Sequence, residues 1–359
     1  MTSPSLPHFA ALSLLPRLAA ISLAVSAIVV PVEAQVGVRP LQRSAPVSPL
    51  ALTLASTAPF ASSAPSAATS AVRLRARHEY LSQVAERDQD EIFVDTRLFA
   101  YGSPARDFQG GGRARIQRLG WDAEIGRRVG ERTSFTVGLR AEGSFYDLTA
   151  APDLGLAGAK PFNDVYETGV STTLTAEIGP RTTFFTGVDW IVSGEDEASI
   201  GDASTFGIVT GARQRSSDDV AVVLGVDVRT RLEDDPWIIP YLGLDWSLDE
   251  NWSVHVAGTS ARVERRLGRE WTLFAVGRYE LRQYRLNDDA PISRGVVRDE
   301  QIEAGWGLTW RPRPGVAFTG SAGTTLWQEL STYDRDGDKL GEDELGTGAW
   351  LALEMKLAF

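Results

Sequence analysis

The chain has no cysteine, three histidines, two methionines and, among 36 basic residues, only three lysines (Lys160, Lys339 and Lys356). The lack of cysteine excludes a disulfide scaffold, a thiolate-bound zinc or iron–sulfur site and a catalytic thiol. With only His8, His78 and His255, a histidine-rich metal centre has too few ligands. Positive charge is also short: 36 Lys and Arg against 47 Asp and Glu give −11, so the electrostatic footprint of a nucleic-acid partner is missing. Also missing is any apolar run of the roughly 20 residues that a spanning helix needs. The longest, Leu18 to Val32, follows Arg17, carries Pro31 near its end and leads into Val32-Glu33-Ala34. That pattern predicts a secretory signal peptide over residues 1–34, cut after Ala34, with Ala27 as the second choice.

Residues 35–72 are rich in Ala, Ser, Pro and Thr and have no helical or alternating period. Such a stretch cannot bury enough surface to offset ordering entropy, and it is expected to be a flexible linker. Residues 73–90 form a charged pre-barrel segment, and the folded domain is expected over 91–359.

What the sequence does hold is a period of two. Phe135, Val137, Leu139, Ala141, Gly143 and Phe145 alternate with Thr136, Gly138, Arg140, Glu142 and Ser144. Tyr166 to Ile178, Val222 to Arg229, Leu273 to Arg282 and Gln301 to Trp310 repeat the arrangement, with Val223, Phe274 and Val276 as apolar exceptions on the polar face. Successive strand side chains point to opposite faces, so each segment has an apolar face and a polar or glycine face.

Three features separate this pattern from a soluble sandwich. The segments run well beyond the usual 5–6 residues or so of globular strands and suit a tilted membrane strand of roughly 9 to 11 residues plus extensions. Trp190, Trp237, Trp246, Trp252, Trp271, Trp310 and Trp327 lie near segment ends, where an interfacial girdle belongs. Tight connections at 127–132, 179–181, 216–219 and 312–315 alternate with long polar ones at 147–163, 193–203, 287–297 and 331–345, as between periplasmic turns and outer loops.

Thirteen candidate segments are visible, whereas bacterial single-chain barrels use an even number of strands. Parity fails between Trp237 and Arg285. Treating Leu232 to Trp237 as a bend, because Pro236 and Pro240 lack donors, gives an all-β antiparallel transmembrane barrel of twelve strands, with ten or fourteen as alternatives.

The segment Pro240-Tyr241-Leu242-Gly243-Leu244-Asp245-Trp246-Ser247-Leu248 with Asn251-Trp252-Ser253-Val254, then Tyr279-Glu280-Leu281, and an ending Gly348 to Phe359 in which Ala349, Leu351, Leu353, Met355, Leu357 and Phe359 share a face, resembles a bacterial outer-membrane β-barrel family of unknown function. The resemblance spans residues 235–359. It implies a porin-like barrel in outer-membrane lipid, and a terminal aromatic, Phe359, read by the barrel assembly machinery. It implies no activity.

Four constellations are candidates for function. Arg140, Glu142, Glu167, Glu177, Asp189, Asp227, Arg229, Arg278, Glu280, Arg282 and Glu303 fall on the polar face. They either tune a hydrated pore for small solutes or pair with one another in an occluded lumen. Asp334, Asp336 and Asp338 could converge on calcium, but Lys339 and Leu345 break the EF-hand pattern. His255 is the only barrel histidine. Outer-membrane lipid-modifying enzymes join such a histidine to a serine and a carboxylate or Asn; Ser253 and Ser260 are near in sequence, but Ser253 is two residues away on the same strand, so adjacent strands and not this one are expected to supply the partners, on the lipid face. Gly110-Gly111-Gly112 lacks a Walker A context, so no cofactor is expected. The sequence therefore favours a porin-like channel, with an occluded structural or interaction barrel as the alternative and an enzyme last.

Overall fold

The computed structural model describes residues 92–359 except 150, 155–159, 161, 163 and 234. The signal peptide, linker and pre-barrel segment expected over 1–90 lie outside the described residues. Fifteen strands follow in order: β1 (Ile92–Asp107), β2 (Arg113–Arg128), β3 (Thr133–Thr149), β4 (Val165–Gly179), β5 (Thr182–Glu195), β6 (Ser204–Arg215), β7 (Val220–Arg229), β8 (Trp237–Ser247), β9 (Trp252–Ala257), β10 (Ser260–Arg266), β11 (Trp271–Arg285), β12 (Val296–Arg313), β13 (Val316–Tyr333), β14 (Lys339–Leu345) and β15 (Gly348–Ala358). Each of β1 to β13 pairs antiparallel with the next, and β13–β15 and β15–β1 close the ring. The barrel wall therefore has fourteen strands. β14 lies outside that count and pairs with the loop-end part of β13, beyond β15. The fourteen strands close into a ring at the level of the β9–β10 hairpin, which meets the condition for crossing lipid there, where an unsatisfied backbone group costs several kcal/mol.

The expected twelve is corrected to fourteen at two places. Val220–Arg229 and Trp237–Ser247 are separate antiparallel strands, not one bent strand. The segment Trp252–Arg266, read as one strand, is the hairpin β9–β10. Its turn is Gly258-Thr259, with Gly258 at φ 57° and Thr259 at ordinary negative φ, the glycine-first arrangement that a two-residue hairpin turn favours. The outward set changes phase there, from Trp252, Val254 and Val256 to Ala261, Val263 and Arg265. That phase change is the sequence signal for the turn.

This hairpin is short, so the wall changes character above it. Gly258 N–H donates to Leu242 O at 2.8 Å, and Tyr279 N–H donates to Thr259 O at 3.1 Å. Beyond these rungs β8 and β11 have no strand between them. Pro240, two residues from Leu242, turns its donorless nitrogen toward that unpaired edge, where proline is tolerated. The β11 edge is met instead by β5. Ser193 Oγ donates to Gln283 O at 2.5 Å, and Arg285 pairs in parallel with Gly194.

Outward side chains are apolar, as a lipid-facing wall requires: Leu119, Leu139, Val170, Leu224, Val226, Leu242, Leu351 and Leu353 are all exposed. At the turn end Trp271 stacks on Trp310 and Trp310 on Phe318, with centroids 5.8 and 5.7 Å apart. Inside, the loop-end half is a packed core. Phe108, Ile116, Tyr146, Leu154, Phe162, Tyr284, Leu286, Val297 and Leu330 belong to one buried cluster of fifteen residues. A second cluster, Phe93, Phe185, Val209, Val223 and Tyr241, lies on the inner face. It accounts for Val223, one of the apolar exceptions.

Candidate functional site: the charged interior

The eleven charged residues read from alternation lie on the inner side of the strands, and ten of them are buried or nearly so. Glu177 is the exception. It lies near the turn end, 40% exposed, 3.2 Å from Arg128.

Most of the others form one network. Arg282 on β11 holds Glu142 on β3 at 3.2 Å and also pairs with Glu280. Arg140 lies 2.7 Å from Glu142 and 3.2 Å from Glu167. Arg278 reaches Glu303 at 2.5 Å and Glu280 at 3.2 Å. β3 and β11 are six strands apart along the wall by the shorter route, so the Arg282–Glu142 contact spans the interior. Ser144 Oγ and Tyr284 Oη, 3.2 Å apart, make a second bridge between the same two strands.

Several members escaped the sequence reading. Arg118 and Asp299 form a fully buried pair at 2.6 Å. Asp299 also accepts from Tyr146 Oη and Gln328 Nε2, both at 2.6 Å, and Tyr101 Oη donates to Glu303 at 2.7 Å. The signal for Arg118 was present, because Leu119, Trp121, Ala123 and Ile125 alternate with Arg118, Gly120, Asp122 and Glu124 on β2. The tyrosine and glutamine donors carry no such signal, since only the fold brings them to a carboxylate.

A second cluster joins β5 to β7 across β6. Arg229 grips Asp189 with two nitrogens, at 2.6 and 3.0 Å, and lies 3.5 Å from Asp227. Gly207 on β6 leaves room for this crossing, because a Cβ there would meet Arg229 at 2.6 Å and Asp189 at 2.8 Å. Gly207→Leu should therefore displace the pair and lower the urea midpoint for unfolding, whereas a Leu at exposed Ile208 on the outer face should leave it nearly unchanged. Gly225 and Gly211 meet face to face in the same region, with a Cβ on Gly225 2.6 Å from Thr210 O. Gly225 is thus inward-facing but intolerant of a side chain.

The remaining candidates resolve differently. In the 334–338 loop, Asp334 Oδ1 accepts from the backbone N–H of Asp336 and Asp338, both at 2.9 Å, so its carboxylate organises the turn. Among the described residues no group of three or more Asp, Glu or His gathers around one point. His255 does have partners. Asp245, opposite it on β8, contacts its ring, and so does Ser253, two residues before it on β9, which corrects the expectation that partners would come from adjacent strands only: side chains two apart share a strand face and can touch. Asp245 and Ser253 lie on the inner face, not on the lipid face that a lipid-modifying enzyme was expected to use.

Wall, girdle and buried interior define a closed fourteen-stranded antiparallel β-barrel with an apolar outer face and a charged interior. No protein-family model matches the chain, and no curated protein matches its sequence. Among solved structures it is similar to the toluene transporter TodX of P. putida (8% identity, TM-score 0.42, covering 77% of this chain and 91% of that one). It is also similar to an outer-membrane channel from Pseudomonas putida F1 (9%, 0.40, covering 76% and 97%) and to the translocator domain of the autotransporter NalP from Neisseria meningitidis (12%, 0.32, covering 80% and 96%).

Proposed function

We propose that the chain is a porin-like barrel of the bacterial outer membrane, held closed, through which small solutes pass only when the charged seal across its interior opens. The observation that carries this reading is the Arg282–Glu142 contact between strands six apart on the wall. Fourteen strands enclose more space than the eight or so that side chains fill completely, so contact across the interior means that the ring is drawn in and its charges are spent on one another. An open pore would instead leave rings of charge facing water. The occluded structural barrel is a second reading, and the buried apolar cluster at the loop end favours it.

Liposome swelling separates the two. Proteoliposomes of the parent should swell in small sugars no faster than protein-free ones. Glu142→Gln/Arg282→Met, which removes the crossing contact without leaving a lone charge, should swell measurably faster if the seal is a gate. Equal tightness of parent and variant would favour the structural barrel.

The reading includes assembly that depends on Phe359. Phe359 exchanges two backbone hydrogen bonds with Val94, at 2.9 and 3.0 Å, and its ring is exposed. Phe359→Asp should reduce the amount of heat-modifiable barrel in outer-membrane fractions, and an unchanged amount would count against recognition of this residue.

A further inference from the structure

The turn-end mouth of the barrel holds a second arrangement, apart from the Arg282–Glu142 seal. Asp245 and His255 are register partners on β8 and β9, so their side chains stand side by side on one face. Ser253 shares that face because it precedes His255 by two. Asp245 Oδ1 lies 3.0 Å from His255 Nδ1, and Ser253 Oγ lies 3.1 Å from His255 Nε2. A ring that donates from Nδ1 to the carboxylate leaves Nε2 to accept the serine proton. This is the tautomer in which histidine acts as a general base toward a hydroxyl, with the carboxylate holding its orientation. Arg213 Nη2 reaches Asp245 Oδ2 at 3.3 Å and fixes the carboxylate from its other side. On β10, Arg262 is the register partner of His255 and Glu264 that of Ser253; the two pair with each other at 2.5 Å, and Arg262 lies over the Phe274 ring. The imidazole is 40% exposed, so the group can be reached, unlike the buried pairs deeper in the barrel.

We infer that Ser253, His255 and Asp245 form a hydrolytic triad for carboxylic esters at the turn-end mouth. Ser253 Oγ attacks the ester carbonyl carbon and passes its proton to His255 Nε2. The tetrahedral adduct collapses with cleavage of the bond to the alcohol oxygen, which takes the proton back from Nε2. Water, deprotonated by the same nitrogen, then attacks the acyl-serine, and the acid leaves as Ser253 Oγ takes that proton back from Nε2, so one ester and one water give one acid and one alcohol. Ser253 and His255 are the catalytic residues, and Asp245 is a positioning residue. The inference is independent of whether the barrel conducts.

The test uses the full chain purified in detergent, with heat-modifiable migration as the check that each sample is folded. A fluorophosphonate probe should label the parent at Ser253, located by peptide mass spectrometry. p-Nitrophenyl butyrate should be hydrolysed by the parent and not by Ser253→Ala. His255→Asn should slow labelling by about 100-fold or more, the usual worth of a general base. Asp245→Asn should lower kcat more than it changes KM and shift the pH–rate profile to lower pH, whereas Asp245→Glu should recover part of the rate. Fatty-acid release from phosphatidylglycerol micelles, run beside the soluble ester, distinguishes a lipid ester from a small one as the source of the acyl group. A folded parent that takes no label, a label on another serine, or hydrolysis unchanged in Ser253→Ala would each overturn the triad.

Discussion

Arg282→Met should be among the most damaging single substitutions in the interior, costing up to about 3–5 kcal/mol, because two buried carboxylates, Glu142 and Glu280, each lose one of two arginine partners and keep only Arg140 and Arg278. Arg282 holds Glu142 and Glu280 together, and both carboxylates are buried. The loss should appear as a lower urea midpoint for unfolding from lipid bilayers. Glu142→Gln/Arg282→Met should recover part of it, since a neutral glutamine needs no cation. A midpoint equal to the parent's for Arg282→Met would mean that the interior is hydrated enough to solvate those carboxylates, and the closed reading would lose its energetic basis.

An arginine on the outer wall should be nearly as costly, and for the opposite reason. Leu353 is 58% exposed to the lipid side and sits between Gly320 and Ala100. Leu353→Arg should cost about 2–4 kcal/mol if that position lies near the bilayer midplane. Thr319→Arg is the matched inner-face control, because its rung partner is Glu354 and a new cation there gains a counter-charge. Similar midpoints for the two variants would contradict the facing assignment. A larger loss for Thr319→Arg would mean that the register of this strand is displaced by one residue, which exchanges its two faces.

Facing was the most legible property of the sequence, because a period of two follows directly from strand geometry. All eleven charges read from it lie on the inner side, and the tight connections mark one end of the barrel. Strand number was less legible. The β9–β10 turn is only Gly258-Thr259, so alternation reads as unbroken unless its phase is followed through the glycine. The use of the charges was hardly legible at all. Composition offers seven acids and four arginines among those eleven, which reads as a weakly cation-attracting wall. The added pairs Arg118–Asp299 and Arg97–Asp122 leave that excess unchanged, but Tyr101, Tyr146 and Gln328 contribute neutral donors to its carboxylates. Contacts between strands far apart in the chain carry no local signature. For the same reason the sequence offers Ser253 only as a neighbour of His255, and Asp245 becomes its partner through the β8–β9 register alone.

Single-channel recording of the parent protein in a planar bilayer at about 1 M salt, where surface fields are screened and conductance reports the bore itself, tests the closed interior most directly. A barrel sealed by the Arg282–Glu142 crossing and the apolar loop-end core should show no stable conductance step above the bare-bilayer baseline, with brief openings at most. Long-lived steps of uniform size that grow in proportion to salt concentration would show a continuous aqueous path and contradict the account.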